Sequence, residues 1–182
     1  QIKLLMEVRD NIESVVDMIN HLEWIRKQIY DLQPLLMKDK AAESIIAAGK
    51  ELDSKIISVE DNLYEMSRTG RGSDTYRGPS KLIAKLLYFV GSVSDADFPP
   101  TKQQIERHEA FKIQLETYRN QFDELLKSDV PTFNSLLKEK NIPVLTTIVK
   151  IPWDSLKEVY KNVQFKRWCC QGDITMDKLD EE

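Results

Sequence analysis

The feature that most constrains this chain is a seam. Apolar or small residues recur at Ala42, Ile45, Gly49, Leu52, Ile56, Val59, Leu63 and Met66, an unbroken alternation of three and four residues. That spacing places every member on one stripe of an α-helix, whereas a strand would turn successive residues to opposite faces. A stripe of this kind needs a second apolar stripe to bury against, so the chain is expected to fold as helix on helix. Ala42, Ala47, Ala48 and Gly49 keep one end of the helix slim. A neighbour is expected to approach closely there, and a large residue at Gly49 to push it away.

Similar periodicity fills most of the first 141 positions. Leu5, Val8, Ile12, Val15, Ile19, Leu22 and Ile29 form a narrow seam that Leu4, Val16, Ile25 and Leu32 widen into a bundle-type stripe. A helix from about residue 3 to 33 would be about 45 Å long, and Pro34 marks its expected end. Asp39 is the expected cap of the second helix, and Pro79 the first-turn proline of a third that ends near Gly91. Rich in apolar residues, this third helix is expected to be the most buried. Thr101 and Gln104 have capping-box spacing, followed by the seam His108, Phe111, Leu115, Tyr118, Phe122, Leu125. Pro131 interrupts a pattern that continues through Leu136 and Leu137, which predicts a kink or restart near Asp129. The expected fold class is therefore all-α: an antiparallel four-helix bundle over residues 1–141, with short connections between sequential neighbours. Residues 142–182 are expected to form a short irregular C-terminal appendage. It comprises the β-branched extended segment IPVLTTIVKIP, read as a lone strand, a short helix capped by Asp154, and a polar, acidic tail expected to be mobile.

Composition narrows the function classes. A formal net charge of -4 and a pI near 5.4 lack the basic excess of a nucleic-acid binder, so no nucleic-acid partner is expected. No apolar run is long enough to span a membrane, and LIAKLLYFVGSV is both short and interrupted by Lys85. The opening QIKLLMEVRD carries charges where a signal peptide requires an uninterrupted apolar stretch, although a chain opening on Gln1 is read as a mature or excised piece.

Candidate sites are few. The stretch SRTGRGSDTYRGPSK places Arg68, Arg71 and Arg77 around Gly70, Gly72 and Gly78, where guanidinium groups and exposed amides suit a carboxylate or phosphate. It lacks the GxxxxGK[ST] spacing of a P-loop, and a solvated connector or a docking contact to another domain competes with ligand binding. Glu13, Asp17 and His21 stack on one helix face. No Glu-x-x-His pair accompanies them, so a solvated polar face is expected rather than a metal site. His108 is expected to be a hydrogen-bonded seam residue. Cys169 and Cys170 are adjacent and form neither a relaxed mutual disulfide nor a complete zinc site, leaving two unpaired thiols or an intermolecular disulfide. No catalytic residue, cofactor or metal is expected, since no GxSxG, HExxH or Cys-His-Asn order occurs.

Three stretches, QIKLLMEVRDNIESVVDMINHLEWIRKQI, AAGKELDSKIISVEDNLYE and DVPTFNSLLKEKNIP, together carry a family likeness. They resemble the C-terminal helical region of large bacterial secreted proteins with sortilin-like β-propellers of BNR/Asp-box repeats, often labelled glycosyl hydrolases. The likeness covers about residues 1 to 145. It implies an extracellular or periplasmic, non-catalytic accessory domain whose partners are β-propeller or β-sandwich domains or subunits. No Asp box occurs here, so no sugar chemistry is carried over. An alternative expectation is a subunit of a carbohydrate-active hydrolase whose arginine loop contributes to ligand binding, and a third is a self-assembling oligomer.

Overall fold

The computed structural model of the chain describes residues 1–36, 42–65, 79–95 and 98–147. Among these residues the fold is all-helical: α1 (Ile2–Leu36), α2 (Glu43–Leu63), α3 (Leu82–Ser94), α4 (Lys102–Glu124) and α5 (Val130–Glu139), with a single π-type turn (Leu125–Asp129) joining the last two. One compact unit runs from Gln1 to Thr147. The expected seams form its core. Val8, Val15, Leu22 and Ile25 of α1, Ile45, Ile56 and Leu63 of α2, and Leu82 and Leu86 of α3 are nearly or completely removed from solvent.

Helix ends differ from expectation where prolines and caps were the guides. α1 runs through Pro34 to Leu36; a proline this close to the terminus removes one hydrogen bond that the fraying last turn can spare. α2 opens after Ala42 without a side-chain cap, and the expected cap Asp39 lies outside the described residues. Pro79 precedes α3 rather than entering its first turn, and Gly91 is inside that helix, which ends at Ser94. The α4 start matches the reading: Thr101 and Gln104 form a capping box. The restart near Asp129 takes the form of one widened turn, closed by a hydrogen bond from the Val130 amide to the Leu125 carbonyl. Widening lets Pro131, which has no N–H, enter without breaking the rod.

Packing partners change in order along α1. Gln1 Nε2 donates to the Val93 carbonyl at 2.7 Å, at the end of α3. Further along, Tyr64 donates to Glu23 at 2.9 Å and Arg26 to Asp53 at 2.9 Å, while the Cα of Gly49 faces Ile29. The end of α3 therefore meets the start of α1, and α2 meets α1 between Glu23 and Ile29. α4 meets α1 at three levels: Asn11 with His108, Ser14 with Arg119 and His21 with Phe122. Phe133 of α5 then reaches Gly49 of α2.

After α5, residues 142–147 form no helix and pair with no strand among the described residues. Asn141 adopts a left-handed φ of 56°. Its amide bonds to the Lys138 carbonyl and that of Ile142 to Leu137, the double-bonded glycine-type helix stop that asparagine also tolerates. Of the expected extended segment 142–152, residues 148–152 lie outside the described residues, and at Leu145 and Thr146 side-chain amides supply the hydrogen bonds of a ladder. Asn134 accepts from the Leu145 amide at 2.7 Å and donates to its carbonyl at 3.0 Å. Gln28 does the same for Thr146 at 2.8 and 3.0 Å. Leu145 is thereby pressed into the core at 4% exposure, so residues 142–147 belong to the compact unit.

A Cβ at Gly49 would stand 3.5 Å from both Ile29 and Phe133, ordinary contact. Gly49→Ala is expected to raise stability by about 0.5 to 1 kcal/mol, and Gly49→Leu to lower it by about 1 to 3 kcal/mol, in urea unfolding. Asn134→Leu leaves a backbone donor and acceptor at Leu145 unpaired; it is expected to cost about 1 to 3 kcal/mol and to speed amide exchange at Leu145.

Candidate functional site

Arg68, Arg71, Arg77, Cys169 and Cys170 lie outside the described residues. Within the described residues, polar groups gather in three places, all of them on α1 and the helices packed against it.

The first is an ion cluster between α1 and α2. Glu23, Arg26 and Tyr30 are three and four residues apart and share a face of α1, as do Asp53 and Glu60, two turns apart on α2. The Arg26 guanidinium donates to Asp53 at 2.9 Å and to Glu60 at 2.8 Å, with Glu23 at 3.8 Å. Tyr30 closes the ring by donating to Asp53 at 3.0 Å. Three carboxylates thus share one guanidinium. Glu60 is fully buried and its Oε1 has no hydrogen-bond partner among the described residues. An ionised oxygen there would be uncompensated. Burial, then the neighbouring charge of Glu23, pushes the Glu60 carboxyl up to about 8 in spite of Arg26. Burial opposes the Arg26 charge, but the hydrogen bond to Asp53 and the charge of Glu60 raise its pKa overall. The Tyr64 hydroxyl is pushed up too, by burial and by Glu60 and Glu23.

The second is His108, nearly solvent-free against Phe89, whose ring stacks on it at 6.1 Å. The Asn11 amide nitrogen can only donate, so Nε2, at 3.0 Å, accepts and the ring proton resides on Nδ1, toward Glu7 at 3.8 Å. Burial, then the charge of Lys112, lowers its pKa, so the ring is neutral near pH 7. This is the hydrogen-bonded seam histidine the sequence led one to expect.

The third is a cleft of about 360 Å³ between α1 and α4, which collects Glu13, Asp17 and His21 with Asp10, Arg119 and Asp123. Most of its charges are answered locally: Arg119 donates to Ser14 at 2.7 Å, Asp123 pairs with Lys127 at 3.1 Å and Asp10 with Arg9 at 2.8 Å. His21 Nδ1 donates to the Asp17 carbonyl at 2.7 Å, turning the ring edge onto Phe122. Among the described residues no three His, Cys, Asp or Glu side chains converge on a point that would hold a metal ion. Sequence reasoning found the helix face of this cleft. It missed the Arg26 cluster, although Glu-x-x-Arg-x-x-x-Tyr on one seam and an acidic residue beside Val59 on another were visible signals.

None of the described helices is long and apolar enough to cross a membrane. Compared with protein-family models, with curated proteins and with solved structures, the chain matches none.

The Glu60 carboxyl gives stability a pH slope. It titrates near 4.5 in the unfolded chain and near 8 in the folded one. Between those values the folded state keeps a proton that the unfolded state has released, so stability falls as pH rises, by about 1.4 kcal/mol per unit for this group, and levels off above the folded value. Glu60→Gln is expected to match the parent near pH 5 and to be the more stable protein near pH 8, read from urea midpoints at both values. Equal loss of stability at both would contradict the assignment.

Proposed function

We propose that the chain is a non-catalytic helical accessory or assembly domain that packs against β-propeller or β-sandwich domains, or partner subunits, of an extracellular or periplasmic protein. Its finer architecture on this reading is an antiparallel bundle whose four main helices occupy three columns, with α2 and α3 in tandem. The observation that carries the functional reading is apolar surface at one end of the unit. Gln1 bonds to Val93, and Gln104 donates to the Ser92 carbonyl at 2.9 Å, so the start of α1, the end of α3 and the start of α4 meet there. Ile2 and Phe98 at this end are each 75% exposed, and Met6 and Ile105 each 50%. Large apolar side chains gathered in water are what protein interfaces cover. The family likeness of the sequence supplies the kind of partner.

Native mass spectrometry of the protein purified from its source is the test. The expected result is a longer polypeptide or a stable complex containing β-rich domains. Phe98→Asp with Ile105→Asp should disrupt that association while leaving unfolding midpoints nearly unchanged, because both side chains are exposed. Alanine at Arg68, Arg71 and Arg77 should leave it intact, whereas a carbohydrate-binding arginine loop would lose its ligand. A free 21.2 kDa chain with no neighbour contradicts the proposal.

A further inference from the structure

Most of the circumference of α3 is apolar, and only half of it is used. Its inner face, including Leu82, Leu86 and Phe89, is buried against α1 and α4. Its outer face carries Ala84, Leu87, Tyr88 and Gly91 at the i, i+3, i+4, i+7 positions of one stripe. Tyr88 is 82% exposed, and a Cβ built on Gly91 would meet nothing within 4 Å. A large knob and an open hole thus lie side by side, three residues apart. Charge is ordered along the same helix: Lys85 lies one turn before Tyr88, and Asp95 one turn after Gly91. Neither Lys85 nor Asp95 has an ion pair among the described residues, whereas Lys81 is held by Asp61 at 2.7 Å.

We propose that a second copy of this chain covers this face, with α3 packed antiparallel on α3 about a two-fold axis passing near Phe89 and Val90. Knob and hole are on opposite sides of that axis, so each Tyr88 ring seats over Gly91 of the partner subunit, where the absent side chain lets the backbones approach. The same operation brings each Lys85 ammonium to Asp95 of the partner subunit, one ion pair at each end of the contact. An isologous interface needs such self-complementarity: one positive and one negative group equally far from the axis, with apolar residues between. A second copy is therefore favoured over an acidic or basic partner, which would satisfy one end of the stripe and oppose the other. A contact of one 13-residue helix per copy is small, so the association is weak and concentration-dependent. It does not use Phe98 or Ile105, so different substitutions test it and the end-face association.

Sedimentation equilibrium of the 182-residue chain under reducing conditions, over a concentration series, tests this. The mass should rise from 21.2 kDa toward twice that value. Tyr88→Ala and Gly91→Leu should each hold the chain monomeric with unchanged helical circular dichroism. Lys85→Glu or Asp95→Lys alone should weaken association about tenfold, since each puts two like-charge pairs into the dimer. The two reversals together in one chain should restore it. A monomer at every concentration overturns the proposal and leaves the face to a partner of different sequence. A dimer indifferent to these substitutions overturns it equally, because its interface is elsewhere.

Discussion

One apolar stripe 35 residues long sets the terms for the rest of the molecule. At 1.5 Å per residue α1 is about 50 Å long, and left uncovered its seam would expose residues from Val8 to Leu36 to water. No other single uninterrupted α-helix among the described residues matches it. α2 has 21 residues and α3 has 13, together one fewer than α1, and on the proposed arrangement they lie along it in succession. α4 and α5 achieve the length by continuing one into the other through a widened turn. Coverage thus gives a reason why Pro131 is accommodated rather than allowed to end the rod.

Burial alone would let these stripes slide past one another by a turn. The polar groups embedded in the seams remove that freedom. Arg26 is matched to Asp53 and Glu60, and Asn11 to His108, each pair joining a different helix to α1. Shifting α2 by one turn would take the Arg26 hydrogen bond from the fully buried Glu60, and shifting α4 would leave His108 without its donor. The cost of this arrangement is a carboxyl held protonated well above its ordinary range. Glu60 is thus a register device whose stability contribution depends on pH.

Much of this could be read from the residues. The all-helical class, the four main helices, the capping box at Thr101 and the restart near Asp129 all follow from periodicity and from the chemistry of caps and prolines. What periodicity cannot supply is the partner of each stripe. The seams of α2 and α3 look like two helices to be placed side by side, and only their summed length against α1 indicates tandem placement. The segment around Leu145 is legible only in part for a related reason. Its β-branched composition signals extended backbone, but not that Asn134 and Gln28, distant in sequence, would supply the hydrogen bonds of a missing strand. The Arg26 cluster was passed over because its members are spread across two seams and become neighbours only once α1 and α2 are paired. The outer stripe of α3 was legible as apolar residues, but not as exposed ones.

The most direct measurement is the distance between spin labels at Lys50 on α2 and Ser92 on α3, with Cys169 and Cys170 replaced by serine. Gly49 lies against Ile29, and Val93 against Gln1, at widely separated levels of α1. Tandem placement predicts a separation of about 40 Å by pulsed electron paramagnetic resonance. A separation below about 20 Å would mean that the two helices lie side by side. That result would contradict the account.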